Sequence, residues 1–186
     1  MARAFFDDPV TMYIFPKERQ RIRRLETFFS QQMRRTFIKR GEAYTTADKQ
    51  GGALWMPPRD SKPGPKEMAE MLPLLLLLGT RIPPTLRVLQ LMEAHHPKNR
   101  HYYLGTIGTD PVWQGKGIGS ALMAPVLGRC DEEGIPAYLE SSKASNIPFY
   151  RRHGFEVTGE LKTPDGLLTL WPMWREPEPP GSSGAT

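Results

Sequence analysis

Seven consecutive residues, Gln114-Gly115-Lys116-Gly117-Ile118-Gly119-Ser120, set three glycines at the start of an apolar pattern with helical spacing. Glycines at such a point let successive backbone N–H groups converge, and converging N–H groups at a helix start attract phosphate. Glu140 ends the next apolar run about twenty residues on, where the ribose-binding acid of a dinucleotide site would sit. His95, His96 and His101 suggest a metal, but Cys or carboxylate partners at ligand spacing are missing, so no metal is expected. Cys130, the single cysteine, forbids an internal disulfide and sits on the apolar side of the helical pattern as a small buried side chain.

Three readings compete for the glycine run. It is a tight turn serving close packing, a dinucleotide fingerprint, or a loop for the pyrophosphate of an acyl-CoA. Against the second, Ser120 takes the place of the third glycine and the connection Thr109–Gln114 separates the run from its strand. The third is carried by a resemblance. Gln114 to Gly119 matches the Q/R-x-x-G-x-G/A motif of the GCN5-related N-acetyltransferases (GNAT family). The stretch Asn146-Ile147-Pro148-Phe149-Tyr150-Arg151-Arg152-His153-Gly154-Phe155 resembles the family's second signature, an Asn on a short helix followed by FY-x-x-x-GF. Puromycin N-acetyltransferase-like members are the most similar, sharing a QGKG-[IL]-GSA loop, a proline midway along the next helix, an LE-[ST]-S strand end and an NxPFY helix. The likeness is close from Tyr103 to about Glu160 and thinner from Arg3 to Pro58.

The resemblance implies an α/β fold: a mixed sheet whose central parallel strand pair splays around acetyl-CoA, flanked by helices. It implies acetyl-CoA as co-substrate. Backbone groups of Ile107, Gly108 and Thr109 pair with the pantetheine amides, with a bulge in that strand creating the splay. Gln114, Gly115, Lys116, Gly117, Ile118, Gly119 and Ser120 hold the pyrophosphate, aided by the helix dipole, and Asn146 makes a polar contact with the pantetheine or adenine side. The reaction itself needs a base and an acid. An alkylammonium of pKa about 10.4 must lose a proton before attacking a thioester, and the departing thiolate gains one. Glu140 is the candidate acceptor and Tyr150 the candidate donor. Glu140 also fits a role in binding helix N–H groups or a substrate cation, and Tyr150 one of aromatic packing. The expected activity is acetyl transfer to the amine of a small molecule, such as an aminonucleoside-type antibiotic. A protein or peptide amine, or a CoA-sensing module without chemistry, are the alternatives.

The elements that must position these groups follow from pattern. Tyr102–Ile107 and Ala137–Ser141 read as parallel strands around the glycine-led helix. Propensity alone would end that helix at Pro125, but the matching proline of the family it resembles implies that it continues to about Glu133, capped by Gly134. Ala43–Thr46 and Ala53–Met56 form a hairpin. Thr85–His96 is a helix opened by Pro83-Pro84, Glu67–Leu78 another, and Arg59–Pro65 a proline-rich connector. Ile22, Leu25, Phe28, Phe29, Met33 and Phe37 give the basic stretches Lys17–Arg24 and Arg34–Arg40 an amphipathic core stripe, so the net charge of +5 reads as solvated helix faces and not as a nucleic-acid surface. Ala2–Phe6 resembles the end of the family's first helix, terminated by Asp7-Asp8-Pro9, with the preceding strand missing. Glu156–Leu161 and Leu167–Trp174 are the last strands, turning at Pro164-Asp165-Gly166.

The 186 residues suit one domain spanning 1–176, with its CoA-binding core at 101–160 and a disordered tail at 177–186. No run reaches the roughly 20 apolar residues of a membrane span, and no leader pattern opens the chain, so a cytoplasmic protein is expected. Monomer and homodimer fit equally.

Overall fold

The computed structural model describes residues 1–32, 42–58 and 78–178. The basic cluster Arg34–Arg40, the connector Arg59–Pro65, almost all of the expected helix Glu67–Leu78 and the tail from Pro179 lie outside the described residues.

A seven-stranded mixed sheet carries the site. Its strands are β1 (Ala43–Thr45), β2 (Gly51–Met56), β3 (Tyr102–Thr109), β4 (Ala137–Ser141), β5 (Glu156–Val157), β6 (Leu161–Lys162) and β7 (Thr169–Arg175). The order is β1-β2-β3-β4-β7-β5, with β6 paired to β7. Every pairing is antiparallel except that of β3 with β4, as a strand–helix–strand crossover requires. No strand precedes Ala43 among the described residues.

The helices are α1 (Pro9–Ile14), α2 (Glu18–Gln32), α3 (Ile82–His95), α4 (Ile118–Glu133) and α5 (Ile147–Arg151). Among the described residues no helix is long and apolar enough to cross a membrane. The start of the chain corrects the sequence reading. Residues 2–7 form turns, and Asp8 opens a helix instead of following one. Its Oδ1 accepts from the N–H groups of Val10 (3.0 Å) and Thr11 (3.2 Å), and Pro9 occupies a first-turn position where a missing N–H costs nothing.

The helix α4 runs through Pro125 to Glu133 and ends at Gly134 in the left-handed conformation (φ 64°), as expected. The apolar spacing of Ile118, Ala121, Leu122, Pro125, Val126 and Cys130 predicts its buried stripe, and the observed one is shifted. Met123 and Leu127 go into the core with Leu122, Val126 and Cys130, whereas Ala121 and Pro125 face outward. An outward proline loses only a solvent-side hydrogen bond, which is why the helix tolerates it. That stripe packs on Trp55, Leu104, Leu139, Phe155 and Met173, the main core. A second cluster joins α1 and α3 to β6 and β7 through Val10, Val88, Leu161, Leu168 and Leu170.

Two motif residues have structural work in this frame. Gly154 (φ 80°) leaves room for the buried Arg175, whose Nε would lie 3.2 Å from an added Cβ. Arg175 donates to both carboxylate oxygens of Asp131 (2.7 and 2.9 Å) and to the His153 carbonyl (2.9 Å), tying α4 and the end of α5 to β7.

Candidate active site

The strands β3 and β4 pair over two positions only, Tyr102↔Ala137 and Tyr103↔Tyr138, and then part. The physical cause is a register shift in the β2–β3 pairing. Leu54 faces Thr106 while Trp55 faces Leu104, which leaves Gly105 as the extra residue of a bulge. From Leu104 onward β3 keeps β2 on one side and has no strand on the other. Between the parted strands lies a cleft of about 670 Å³. Ile107, Gly108, Thr109, Gln114, Gly115, Gly117, Ile118, Gly119, Ser120, Glu140, Asn146 and Tyr150 all line it. The bulge expected to create the splay lies at Gly105, just ahead of Ile107, Gly108 and Thr109, the three positions expected to pair with the pantetheine amides.

The glycine run divides into two kinds of position. Gly115 (φ 74°) and Gly117 (φ 77°) hold left-handed backbone, and an added Cβ at either would meet nothing within 4 Å, so open space borders the turn. Gly117 is the N-cap of α4, so the N–H groups of the first turn, including Ile118, Gly119 and Ser120, have no intrahelical acceptor. Gly119 is different: its Cβ would lie 2.9 Å from Phe149 Cζ. Ser120 donates to His153 Nε2 (2.9 Å), because His153 Nδ1 is committed to the Phe149 carbonyl (2.8 Å). Lys116 does not line the cleft; its Nζ rests 4.2 Å above the Trp113 ring. An unpaired strand edge, an open glycine turn and a helix N-terminus in one cleft suit a ligand that combines amides with a diphosphate.

Glu140 and Tyr150 occupy the other part of the cleft. Strand alternation puts Glu140 on the same face as Tyr138 and, across the pairing, Tyr103. The Glu140 side chain is 2% exposed, and neither carboxylate oxygen makes a hydrogen bond of good geometry, nor does the Tyr138 hydroxyl; the hydroxyls of Tyr103 and Tyr138 face the carboxylate only loosely. Burial, and secondarily Glu140, pushes the Tyr103 hydroxyl well above the usual phenol range, and Tyr138 in the same direction. His96 Nδ1 stands 3.9 Å from Glu140 Oε1, and the His96 ring packs edge-on against Tyr103 and Tyr138. Tyr150 is buried, and that burial, with a smaller effect of Asp8, raises its pKa, so the phenol keeps its proton.

Segment 3–8 crosses over this cleft. Arg3 pairs with Asp110 beyond β3 (3.2 Å), Asp7 with Lys143 beyond β4 (2.9 Å), and Ser142 donates to Asp8. Ala4 and Phe5 lie against Gly108, where an added Cβ would come within 2.9 Å of either side chain. Burial raises the Asp8 pKa.

Of the groups around the acid, sequence reasoning missed Asp8, His96, Tyr103 and Tyr138. Only the alternation of β3 and β4 was a usable signal, since it sets Tyr138 and Glu140 on one face. Among the described residues no group of three His, Cys, Asp or Glu side chains could hold a metal ion.

Comparison with known proteins gives a consistent result. Residues 83–155 match the model of the acetyltransferase (GNAT) family. An uncharacterized N-acetyltransferase of Schizosaccharomyces pombe is 30% identical over 199 aligned positions, covering 94% of this chain and 76% of that protein. Among solved structures, a Corynebacterium glutamicum protein described as histone acetyltransferase HPA2 and related acetyltransferase superposes with a TM-score of 0.65 at 22% identity, covering 97% of this chain and 88% of that one. An N-acetyltransferase from Staphylococcus aureus gives 0.57 at 18% identity, with 93% and 92% covered. These two likenesses show the fold.

Proposed function

Since the chain belongs to the GNAT family of acetyltransferases and acetyl-CoA is its co-substrate, we propose that its acceptor is the amine of a small molecule and that Glu140 takes the amine's proton. The observation that carries this reading is the carboxylate of Glu140, buried beside a cleft without a hydrogen bond of good geometry. Buried polar groups are rarely left without partners, and those that are call for a functional reason. A cationic amine in the cleft supplies one, as a positive charge for the carboxylate to meet.

Acetyl-CoA supplies the activated acyl group. Glu140 removes the ammonium proton, freeing the nitrogen lone pair to form the new C–N bond. Both oxygens are covered as the side chains stand, so the transfer needs a side-chain shift that brings Glu140 to the amine or admits a bridging water. The adduct still carries two hydrogens on a positive nitrogen. As the C–S bond breaks, Tyr150 gives its proton to sulfur and takes one of those two in return, leaving the neutral amide; its raised pKa suits a donor that must not ionise beforehand. Ile107, Gly108 and Thr109 offer the unpaired edge of β3 to the pantetheine amides, and the turn Gln114–Ser120 receives the pyrophosphate. Lys116 joins by leaving Trp113, whereas Asn146 already lines the cleft. The strap of residues 3–8 favours a compact acceptor, because an extended peptide laid across the same lip would have to displace it.

The test is a mixed incubation of acetyl-CoA with small primary amines and amino-terminal peptides, with products read by mass. Acetylated small amines are the expected outcome. Acetylation confined to peptides would overturn the acceptor class, and no acetylated amine of either kind would overturn the reading altogether.

A further inference from the structure

Glu140 can act repeatedly only if the proton it takes leaves again, and its oxygens have no access to bulk water. The side chains packed over it suggest the route. His101 Nδ1 lies 2.6 Å from the Asn99 carbonyl, which only accepts, so Nδ1 carries the hydrogen. Burial lowers the His101 pKa and keeps that ring neutral. Its Nε2 is therefore a bare acceptor. His96 Nε2, 3.2 Å away, must be the donor in that contact. A neutral His96 ring with hydrogen on Nε2 has a bare Nδ1, and Nδ1 is the atom that stands 3.9 Å from Glu140 Oε1. The pair of imidazoles thus aims an empty proton site at the carboxyl group.

We infer that His96 is the relay through which the proton accepted by Glu140 leaves the site. The O–H bond of the protonated carboxyl breaks, an N–H bond forms at His96 Nδ1, and the imidazolium passes that proton to water, returning to the tautomer that His101 holds. The side chain of His96 is 31% exposed against 2% for Glu140, so the relay spans the boundary between cleft wall and solvent. The separation exceeds hydrogen-bond length by about 1 Å, a gap that a modest side-chain rotation closes.

Other groups around the ring do not compete. Tyr103 from β3 and Tyr138 from β4 face it with hydroxyls that burial keeps protonated. His101 is held neutral, and Glu93, His95, Lys98 and Arg100 along the same stretch of chain are exposed. Among the described residues, His96 is the group beside Glu140 that combines a free acceptor atom with contact to water.

The inference rests on Glu140 being the proton acceptor, so the experiment runs His96→Ala, His96→Gln and Glu140→Gln together. Rates are read as acetylated amine formed in dilute buffer of low pKa-matching capacity. Both His96 variants should lose turnover on the order of 10²-fold with acetyl-CoA affinity unchanged by calorimetry. Added imidazole should restore His96→Ala in proportion to its concentration, leave His96→Gln slow because no space is vacated, and not accelerate the native chain. A purely structural role would show as a loss that imidazole does not mend. Unrescued loss in His96→Ala, or native turnover in either His96 variant, while Glu140→Gln is slow, overturns the relay and leaves the base standing. Native turnover in Glu140→Gln overturns both.

Discussion

At the scale of single residues, the roles proposed for Glu140 and Tyr150 move protons in opposite directions, and pH separates them. Glu140→Gln keeps the shape but accepts no proton, so its deficit should be largest near neutral pH and shrink as the medium itself deprotonates the amine. Tyr150→Phe removes the donor to the leaving sulfur, a task independent of the amine's charge, so its deficit should persist at high pH. Each loss should be on the order of 10²–10⁴-fold, with Tyr150→Phe at the lower end because a thiolate leaves tolerably without help. A Tyr150→Phe enzyme that keeps native kcat while binding acetyl-CoA would reduce the phenol to a packing group. That both residues line the cleft was legible in the sequence, because each sits in a motif with fixed spacing. Their surroundings were not. His96 reaches Glu140 from a loop between α3 and β3, and Asp8 reaches Tyr150 from the start of the chain; contacts of that kind are set by tertiary packing and leave no periodic trace.

Among the elements, the glycine run at the start of α4 joins an open turn, proposed to take the pyrophosphate, to a packing contact, and the two are separable. Gly117→Asn substitutes a residue that tolerates left-handed backbone better than most, so the fold should survive while the new side chain fills the open space at the turn. Acetyl-CoA affinity should drop at least tenfold by calorimetry, a loss of about 1.4 kcal/mol, with the melting temperature nearly unchanged. Gly119→Ala should do the reverse, pressing a methyl against Phe149 and costing about 1–3 kcal/mol of stability. Equal affinity in a folded Gly117→Asn protein would remove the pyrophosphate assignment. The turn between β6 and β7 offers an element of another kind. Asp165 accepts from Thr163 Oγ1 (2.6 Å), the Tyr13 hydroxyl (2.7 Å) and the Leu167 N–H (3.1 Å), and these lower its pKa from 3.8 to about 2. A carboxyl depressed in the folded state stabilises it above pH 3.8, and that contribution is lost as pH falls towards about 2. The melting temperature should therefore fall more steeply across that window for the native chain than for Asp165→Asn. Parallel curves would show that the turn adds nothing to acid stability. The hairpin and the cap at Gly134 could be read in advance from local signals, whereas the helix past Pro125, against local propensity, was legible only through the family resemblance. The outward rotation of Pro125 and the helix opened by Asp8 were legible in neither way. The first depends on which α4 stripe the sheet accepts, and the second on Asp8 satisfying N–H groups ahead of it.

For the whole molecule, the site exists because one bulge parts two parallel strands while the rest of the sheet stays closed. Arg175 holds α4 and the end of α5 to β7 on one side of that opening, and the strap of residues 3–8 crosses it on the other. The family motifs foretold the opening itself; the strap, which bears on what enters, matched the family too loosely to be foreseen. The most direct measurement of the central claim is thiol release from saturating acetyl-CoA with and without a small primary amine, for the native chain and Glu140→Gln. The account predicts release that depends on the amine and is largely lost in Glu140→Gln near neutral pH. Release indifferent to the amine, or undiminished in Glu140→Gln, would contradict it.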